Sequence, residues 1–305
     1  MLVAAAYNAG SPDSAAATTL GAVTATLPIA RIGAEKPLAV AVQQKLTEHG
    51  YLDPPPDGDF RSVSLWAIAE FCKRNGLPAD VFGPDTARTL LVPRAPLAQP
   101  RLKGDWIDRV IDYMNRNNYW YSRFPGCRNI VYLEGADEDG APNEDVFDQF
   151  NDLRAVFWFD DDGEISHREW QATTEPGAFY TRTPMNPKGA ARIKFGQYKA
   201  WQVGVHNNDH EALTQAGPVT VHRDLNKDGK RTGDALDTGA EFMINQHHGW
   251  DTDRRSIKRT SAGCLVGRKI EGHREFMEIV KQDPRFRANS AYRFVATILP
   301  ADKVL

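Results

Sequence analysis

Apolar residues recur at helical spacing between positions 37 and 91, in three segments that are separated by turn signals. In the first segment they lie four residues apart, at Leu38, Val42 and Leu46, and Gly50 follows as a stop signal. The second segment carries an apolar face formed by Leu65, Ile68, Ala69 and Cys72. Pro84, at a favoured first position of a helix, opens the third segment. The pattern predicts a small domain of three helices.

The proline-rich segment VPRAPLAQP starts at residue 92 and predicts a semi-rigid linker. After it, helical spacing predicts one helix at 106–114 and another at 271–280. The remaining pattern favours strands, at 130–133, 155–159, 201–205, 219–222, 242–247 and 292–299. The sequence thus predicts an α+β fold, with a three-helix domain at 35–92, a linker at 93–101 and a β-rich domain at 102–305.

Composition narrows the classes of function. The chain has 305 residues, enough for two domains, and its 41% hydrophobic and 25% charged residues are ordinary for a globular protein. A net charge of -3 argues against a nucleic-acid partner. No apolar run approaches the roughly 20 residues that span a bilayer, so we expect no membrane span. We expect a monomer.

The first 34 residues predict a flexible leader, because they begin with a stretch rich in Ala, Thr, Gly and Ser. They lack the basic start of a signal peptide, and the apolar stretch at residues 2–6 is too short for its core. A processed export signal stays an alternative, so the compartment is open at this point.

The three-helix segment resembles the peptidoglycan-binding domain 1 family. The resemblance rests on VQQKL at 42–46, GYL at 50–52, DGDF at 57–60 and FGPDT at 82–86. It implies a module that binds the peptide or glycan of the cell wall. The expected partner is therefore peptidoglycan, and the expected location is the periplasm or the extracellular cell wall.

Three cysteines are too few for a disulfide framework, although Cys72 and Cys127 are able to form one pair. The alternative is that the cysteines are small buried apolar residues. Cys264 stands apart, because small residues precede it in the segment TSAGCLVG. A free thiol is only slightly ionised near neutrality, so a nucleophilic cysteine needs a base.

His247 and His248 lie upstream of Cys264 at the end of a predicted strand and are candidates for that base. Strand alternation places Asn245 and His247 on one face, which favours His247. Backbone N–H groups near Gly263 and Cys264 are candidates for stabilising an oxyanion. Ser261 is expected either to support the turn or to hydrogen-bond the imidazole.

This region resembles the catalytic motif of L,D-transpeptidases, which carry a strand-end histidine and then Ser/Thr-His-Gly-Cys, an apolar residue and an arginine. The resemblance implies that Cys264 is the nucleophile and that His247 or His248 is the base. The histidine before Gly-Cys is Ala262 here, and the arginine is Val266. That arginine is a substrate-carboxylate contact in the family, and Arg268 is its candidate replacement. His206 and Asn245 are further candidates for substrate contact.

A loop with oxygen-bearing side chains at alternate positions, DLNKDGKRTGD, starts at residue 224. It resembles the start of a calcium loop, with Gly229 at the sharp turn. The expected ligands are Asp224, Asn226, Asp228, Asp234 and the carbonyl of Lys230. The twelfth position is Ala235 instead of an acidic residue. The alternative is a solvated turn without metal, and in either case the expected role is structural.

The predicted function is acyl transfer on the stem peptides of peptidoglycan through a thioester at Cys264. The alternatives are a peptidoglycan hydrolase, such as an endopeptidase, a carboxypeptidase or a phage endolysin, and a non-catalytic wall-binding protein. A zinc enzyme is a further alternative, since His206, Asp209, His210, His247 and His248 include metal-ligand types. No cofactor is expected for the thiol chemistry.

Overall fold

The computed structural model describes residues 14–305, which form a helical N-terminal part and a closed β-barrel with surrounding helices. The first 13 residues of the predicted leader lie outside the described residues. None of the helices between residues 14 and 305 is both long and apolar enough to cross a bilayer.

The N-terminal part is built mainly from helices. Its helices are α1 (Ser14–Gly21), α2 (Lys36–Glu48), α3 (Ser62–Arg74) and α4 (Pro84–Leu91). A 3-10 helix at Ile29–Ala34 and two short paired strands, β1 (Leu27–Pro28) and β2 (Val81–Phe82), complete it. The three helices predicted between residues 37 and 91 are confirmed. The helix α2 ends where predicted, since Gly50 has φ 86° and the N–H of Tyr51 bonds back to the carbonyl of Leu46.

The flexible leader does not extend over residues 14–34. Ala16, Leu20 and Ile32 are buried in the same core as the apolar faces of α2 and α3. Burial of these apolar side chains stabilises the segment against that core. The helical part therefore has one helix more than the sequence predicts.

The barrel part carries the remaining elements. Its strands are β3 (Asn129–Glu134), β4 (Asp152–Phe159), β5 (Ile165–Thr173), β6 (Ala190–Ile193), β7 (Gly196–His206), β8 (His210–Gln215), β9 (Val219–Asp224), β10 (Ala235–Gly239), β11 (Gln246–His248), β12 (Leu265–Gly267) and β13 (Phe294–Pro300). Its helices are α5 (Trp106–Arg116), α6 (Ala178–Arg182), α7 (Ile270–Lys281), α8 (Pro284–Ala288) and α9 (Ala301–Val304). Asp105 caps α5, because its carboxylate accepts the N–H groups of Ile107 and Asp108.

Eight strands close the barrel in the order β11-β12-β5-β4-β3-β13-β7-β8, and β8 pairs with β11 to complete it. A separate three-stranded sheet has the order β10-β9-β6. β11 and β12 run parallel, with His247 opposite Val266. This pairing brings the predicted histidine strand beside the segment that carries Cys264.

The strand predicted at 242–247 is wrong in its bounds, because β11 covers only Gln246–His248. Met243 has φ 57°, a left-handed conformation that breaks an extended chain. The N–H of Ile244 bonds to the Gln215 side chain, and the N–H of Asn245 points at the sulfur of Cys264. Residues 242–245 therefore form an irregular segment that borders the site.

The two parts of the molecule share a core. Phe124 and Cys127, which precede the first barrel strand, belong to the apolar cluster of the helical part, and Leu97 of the linker is buried there too. Phe124 contacts the rings of Tyr51 and Trp66 at centroid distances of 5.3 Å and 4.9 Å. Cys72 and Cys127 are buried free thiols, so they do not form the pair that the sequence left open and agree with the alternative of buried apolar residues.

Candidate active site

A cavity of about 480 Å³ opens at one end of β7, beside the segment that precedes β11 and the turn that precedes β12. Cys264, Gly263, His247, His206 and Asn245 all line it. The fold thus brings five of the sequence-predicted site residues into one space.

The turn that carries Cys264 depends on the residues before it. Ser261 is buried; its hydroxyl donates to the carbonyl of Cys264 at 2.9 Å and accepts the N–H of Gly263 at 3.1 Å. Gly263 has φ 131°, and a Cβ there would lie 2.6 Å from the carbonyl oxygen of Ala191. Ser261 therefore supports the turn and does not contact an imidazole, while Gly263 is required by its backbone conformation.

The Cys264 sulfur is half-buried against backbone groups. The sulfur accepts the N–H of Asn245 and donates to the carbonyl of Met243, both at 3.5 Å. Burial raises the pKa of the Cys264 thiol to about 11, and the N–H of Asn245 only partly opposes this. Near pH 7, Cys264 is therefore a neutral thiol.

His247 is held in one tautomer. Its Nδ1 lies 2.8 Å from the carbonyl oxygen of His248, and since a carbonyl only accepts, Nδ1 carries the proton and Nε2 is left as an acceptor. Burial, reinforced by His206, holds the pKa of His247 well below its usual value. Within residues 14–305 the Cys264 sulfur makes no hydrogen bond to an imidazole. His247 is thus a neutral imidazole that lines the same cavity as the thiol.

His206 and Asn245 lie next to each other beside the His247 ring. The His206 ring stacks on His247, with centroids 3.9 Å apart and planes 14° apart. The Asn245 oxygen accepts the N–H of Gln215, so the amide nitrogen of Asn245 faces Nδ1 of His206 at 2.9 Å. Burial lowers the pKa of His206, so both stacked rings are neutral near pH 7. The side chains predicted to contact substrate are therefore held by contacts within the protein, and the His206 ring packs against His247.

His248 lies outside the cavity that Cys264 lines. Its ring stacks on His210 at a centroid distance of 3.7 Å, and its Nδ1 faces the N–H of Trp250. Among the described residues, Asp209, His210 and His248 are the one group of three metal-ligand types whose ligand atoms lie within 4.8 Å of one another. The two stacked rings hold their in-plane nitrogen lone pairs nearly side by side, which does not favour one shared ion. Zinc binding stays a prediction.

Arg268 lies outside the cavity, where its guanidinium donates to the backbone of Thr252. Arg259 lines the cavity instead, with its guanidinium carbon 3.8 Å from the ring centroid of Phe179. No carboxylate within residues 14–305 lies at ion-pair distance from Arg259. The other cavity cations, Arg223 and Lys188, both pair with Asp237. Arg259 is therefore the cation of this cavity that is open to an anionic ligand.

The predicted calcium loop is closed by its own hydrogen bonds. Asp224 accepts the N–H groups of Asp228 and Gly229, and Asp228 accepts that of Lys230. Asn226 donates to Asp228 at 3.0 Å, which engages two of the expected ligands with each other. One oxygen of Asp234 is buried without a hydrogen-bond partner in the described chain. The turn satisfies most of its polar groups by itself, and calcium binding stays a prediction.

Two backbone groups beside Cys264 differ in what they offer. The N–H of Gly263 is engaged by Ser261, whereas the N–H of Cys264 donates to no acceptor within residues 14–305. A free N–H beside a thiol is of the type that binds a developing oxyanion. Cys264 thus offers a thiol and a free N–H, and a neutral imidazole lines the same cavity.

Sequence reasoning missed Arg259 and Phe179, which meet only in the folded chain. The helix of Phe179 follows Gly177, whose N–H bonds to the carbonyl of Ser261. That contact joins two segments about 80 positions apart, and no short sequence motif predicts it. The Ser-x-Gly-Cys turn was the available signal, because Arg259 lies five residues before Cys264.

Comparison with known proteins gives the following. Residues 36–90 match the family model of a putative peptidoglycan binding domain. No curated protein matches the chain. Among solved structures, a crystal structure of the L,D-transpeptidase from Xylanimonas cellulosilytica matches 85% of this chain and 92% of that one, at 13% identity and a TM-score of 0.21. A score that low supports neither a shared fold nor a shared site. The helical part of this chain is thus similar to a putative peptidoglycan binding domain.

Proposed function

We propose that this protein is a cell-wall enzyme that transfers acyl groups of peptidoglycan stem peptides through a thioester at Cys264. The observation that carries the proposal is that Cys264 and a neutral His247 line one cavity. The similarity of residues 36–90 to a putative peptidoglycan binding domain supports peptidoglycan as the partner. The sequence motif around Cys264 adds its resemblance to L,D-transpeptidases.

The chemistry begins with a thiol and not with a thiolate. The sulfur attacks a peptide carbonyl while Nε2 of His247 takes the thiol proton. The free N–H of Cys264 stabilises the oxyanion of the tetrahedral intermediate. When this collapses, the C–N bond breaks, His247 returns its proton to the leaving amine, and a thioester remains. An amine or water then attacks the thioester, and the sulfur regains its proton through His247.

The raised pKa of Cys264 and the lowered pKa of His247 favour this order of events. An ion pair of thiolate and imidazolium would be costly in the resting site, because burial disfavours both charged forms. Proton transfer is therefore expected during the attack. Substrate binding has to move the sulfur from the Met243 carbonyl towards Nε2 of His247.

Arg259 is proposed to hold a carboxylate of the stem peptide. A guanidinium that stacks on an aromatic ring keeps its N–H edge free for a bidentate contact with a carboxylate. Arg259 meets this condition over Phe179, whereas Arg268 faces Thr252 outside the cavity. This assigns to Arg259 the role that the sequence suggested for Arg268.

Mass spectrometry of muropeptides incubated with the protein tests the proposal. Wild type should convert stem peptides to cross-linked or trimmed products. Cys264→Ser should lose this activity. His247→Ala should lower kcat by about 10²- to 10⁴-fold, since it removes the base. His248→Ala is the matched control, and it should leave most of the activity because His248 lies outside the cavity.

The same assay separates the two arginines. Arg259→Ala should raise KM for peptides that end in a free carboxylate more than for their amides, whereas Arg268→Ala should not distinguish them. The product decides between transfer and hydrolysis: new cross-links indicate a transpeptidase, and release of peptide or loss of turbidity of isolated sacculi indicates a hydrolase. Full activity in Cys264→Ser would rule out the thioester.

A further inference from the structure

A second cavity of about 480 Å³ lies between the helical part and the barrel, away from Cys264. One wall comes from the segment after α2 and the start of α3, with Asp57 and Ser64. The other wall comes from the barrel, with Lys199, Tyr292 and Arg293. We call it the interdomain cleft.

The two walls of the interdomain cleft are fixed to each other by a buried carboxylate. Asp53 is only 1% exposed and lines the cleft. It lies 2.5 Å from the ammonium of Lys199 and accepts the hydroxyl of Tyr292 at 3.1 Å. Breaking such a buried pair is costly, so the helical part is not free to swing away on its linker. The cleft is therefore preformed.

The exposed groups of the cleft are polar and of both signs. Asp57 and Arg293 are exposed, and neither lies within ion-pair distance of an opposite charge in residues 14–305. One oxygen of Asp57 accepts the Gln43 amide and the N–H of Asp59, and its other oxygen has no partner in the described residues. The Gln43 oxygen is used internally, since it accepts the N–H of Gly58. Such walls suit a ligand that carries hydroxyl and amide groups together with carboxylates and amines. A glycopeptide has this chemistry.

β7 runs from the interdomain cleft to the Cys264 cavity. Lys199 lines the first and His206 the second, and the seven residue steps between them span about 23 Å. A chain of contacts in the neighbouring segments also links the two cavities. Arg293 lies against Gly217, and the Gln215 amide nitrogen bonds to the carbonyls of Gly217 and Gly239. Next to Gly239 lies the carboxylate of Glu241, which lines the Cys264 cavity.

We propose that the interdomain cleft binds a glycopeptide polymer, of which a segment about 23 Å further along occupies the Cys264 cavity. The reaction at Cys264 rests on the proposed function, whereas binding in the cleft does not need it. The protein would then act on polymeric peptidoglycan in preference to isolated stem peptides, because only a polymer reaches both cavities.

Arg293→Glu in the full chain tests this, with Arg287→Glu as the matched control. Arg287 is also exposed, has no carboxylate partner within residues 14–305, and lines neither cavity. Co-sedimentation with insoluble peptidoglycan measures Kd without any reaction. We expect Arg293→Glu to weaken binding about tenfold and Arg287→Glu to have less effect, since only the first loses a charge-assisted contact.

Kinetics with two substrates extend the test. The ratio of KM on soluble polymeric peptidoglycan to KM on a free stem tetrapeptide should rise about tenfold in Arg293→Glu and stay near the wild-type ratio in Arg287→Glu. Equal Kd values for the two variants, or an unchanged KM ratio, would overturn the cleft as a binding site. If the wild type shows no activity but Arg293→Glu still weakens binding, the proposed function is wrong and the cleft stands as a binding site.

Discussion

At Cys264 the surroundings of the sulfur work against ionisation, because burial outweighs the one backbone N–H that faces it. His247 does not reverse this, since its pKa is also lowered and its Nε2 is not bonded to the sulfur. The pair resembles a serine–histidine arrangement, in which the base acts during the attack, more than a preformed thiolate–imidazolium pair.

The rate of alkylation of Cys264 by iodoacetamide should follow its thiolate fraction. With a pKa of about 11, the rate should rise roughly tenfold per pH unit between pH 7 and 10. At pH 7 it should be about two orders of magnitude slower than that of a free thiol. Cys72 and Cys127 are buried and should label more slowly still. Mass spectrometry of the labelled peptides gives the three rates.

His247→Ala is the control for this measurement. It should leave the alkylation rate of Cys264 nearly unchanged, because no hydrogen bond joins the two side chains in the resting site. A rate that is already maximal at pH 7, and falls in His247→Ala, would show that the ion pair exists before substrate binds.

At the scale of elements, the site depends on the turn between Ser261 and Cys264 and on the parallel pair β11–β12. The turn approaches β6 so closely that Gly263 faces the carbonyl of Ala191. The pair sets His247 opposite Val266. Parallel neighbours in register point to the same side, so His247 and Cys264 share a face.

Gly263→Ala should destabilise the protein and lower its activity. Its φ of 131° is unfavourable for alanine, and the new Cβ would lie 2.6 Å from the Ala191 oxygen. We expect a loss of about 2–4 kcal/mol, the sum of backbone strain and a clash with main chain. Urea unfolding monitored by tryptophan fluorescence gives the free energy of unfolding. A lower kcat would show that the turn no longer places Cys264 correctly.

Gly233→Ala is the matched control. Gly233 also has a positive φ, of 85°, but a Cβ there would meet nothing within 4 Å. It should cost only about 1 kcal/mol, the conformational part alone. Equal losses in the two variants would mean that the approach of β6 to the turn is not tight.

At the scale of the whole molecule, the helical part and the barrel behave as one body because they share apolar and polar contacts. Phe124 inserts between Tyr51 and Trp66, and Asp53 enters the barrel side of the interface. Arg285 adds a second cation, 3.7 Å from the Asp53 carboxylate. These cations hold the pKa of Asp53 below its usual value although burial opposes them.

Asp53→Ala should destabilise the protein by about 3 kcal/mol, since it leaves Lys199 without its buried partner, while Arg285 keeps its ion pair with Asp283. The matched control is Asp59→Ala. Asp59 pairs with Arg61 at the surface, where the side chains are 51% and 83% exposed, so it should cost less than about 1 kcal/mol. Urea unfolding compares the two, and a small loss for Asp53→Ala would show that the interface does not depend on this ion pair.

The sequence by itself determined the local elements. The apolar spacing of Leu38, Val42 and Leu46, the stop at Gly50 and the proline at residue 84 were enough for the helices, because helical periodicity and capping act within a few residues. The strand positions at 130–133 and 219–222 were also predicted, because the runs of residues that favour strands are local as well. The Ser-x-Gly-Cys turn could also be predicted from the sequence, since its hydrogen bonds join residues at most three positions apart.

Only the tertiary structure decided which residues meet. The pairing of β11 with β12 places His247, and not His248, in the cavity of Cys264, and a distant helix supplies the Phe179 ring that lies under Arg259 and not under Arg268. The burial of Ala16 and Leu20, the pKa of Cys264 and the docking of Asp53 also depend on neighbours far away in the chain. Desolvation and long-range contacts are properties of the folded environment, and a local pattern of residues does not encode them.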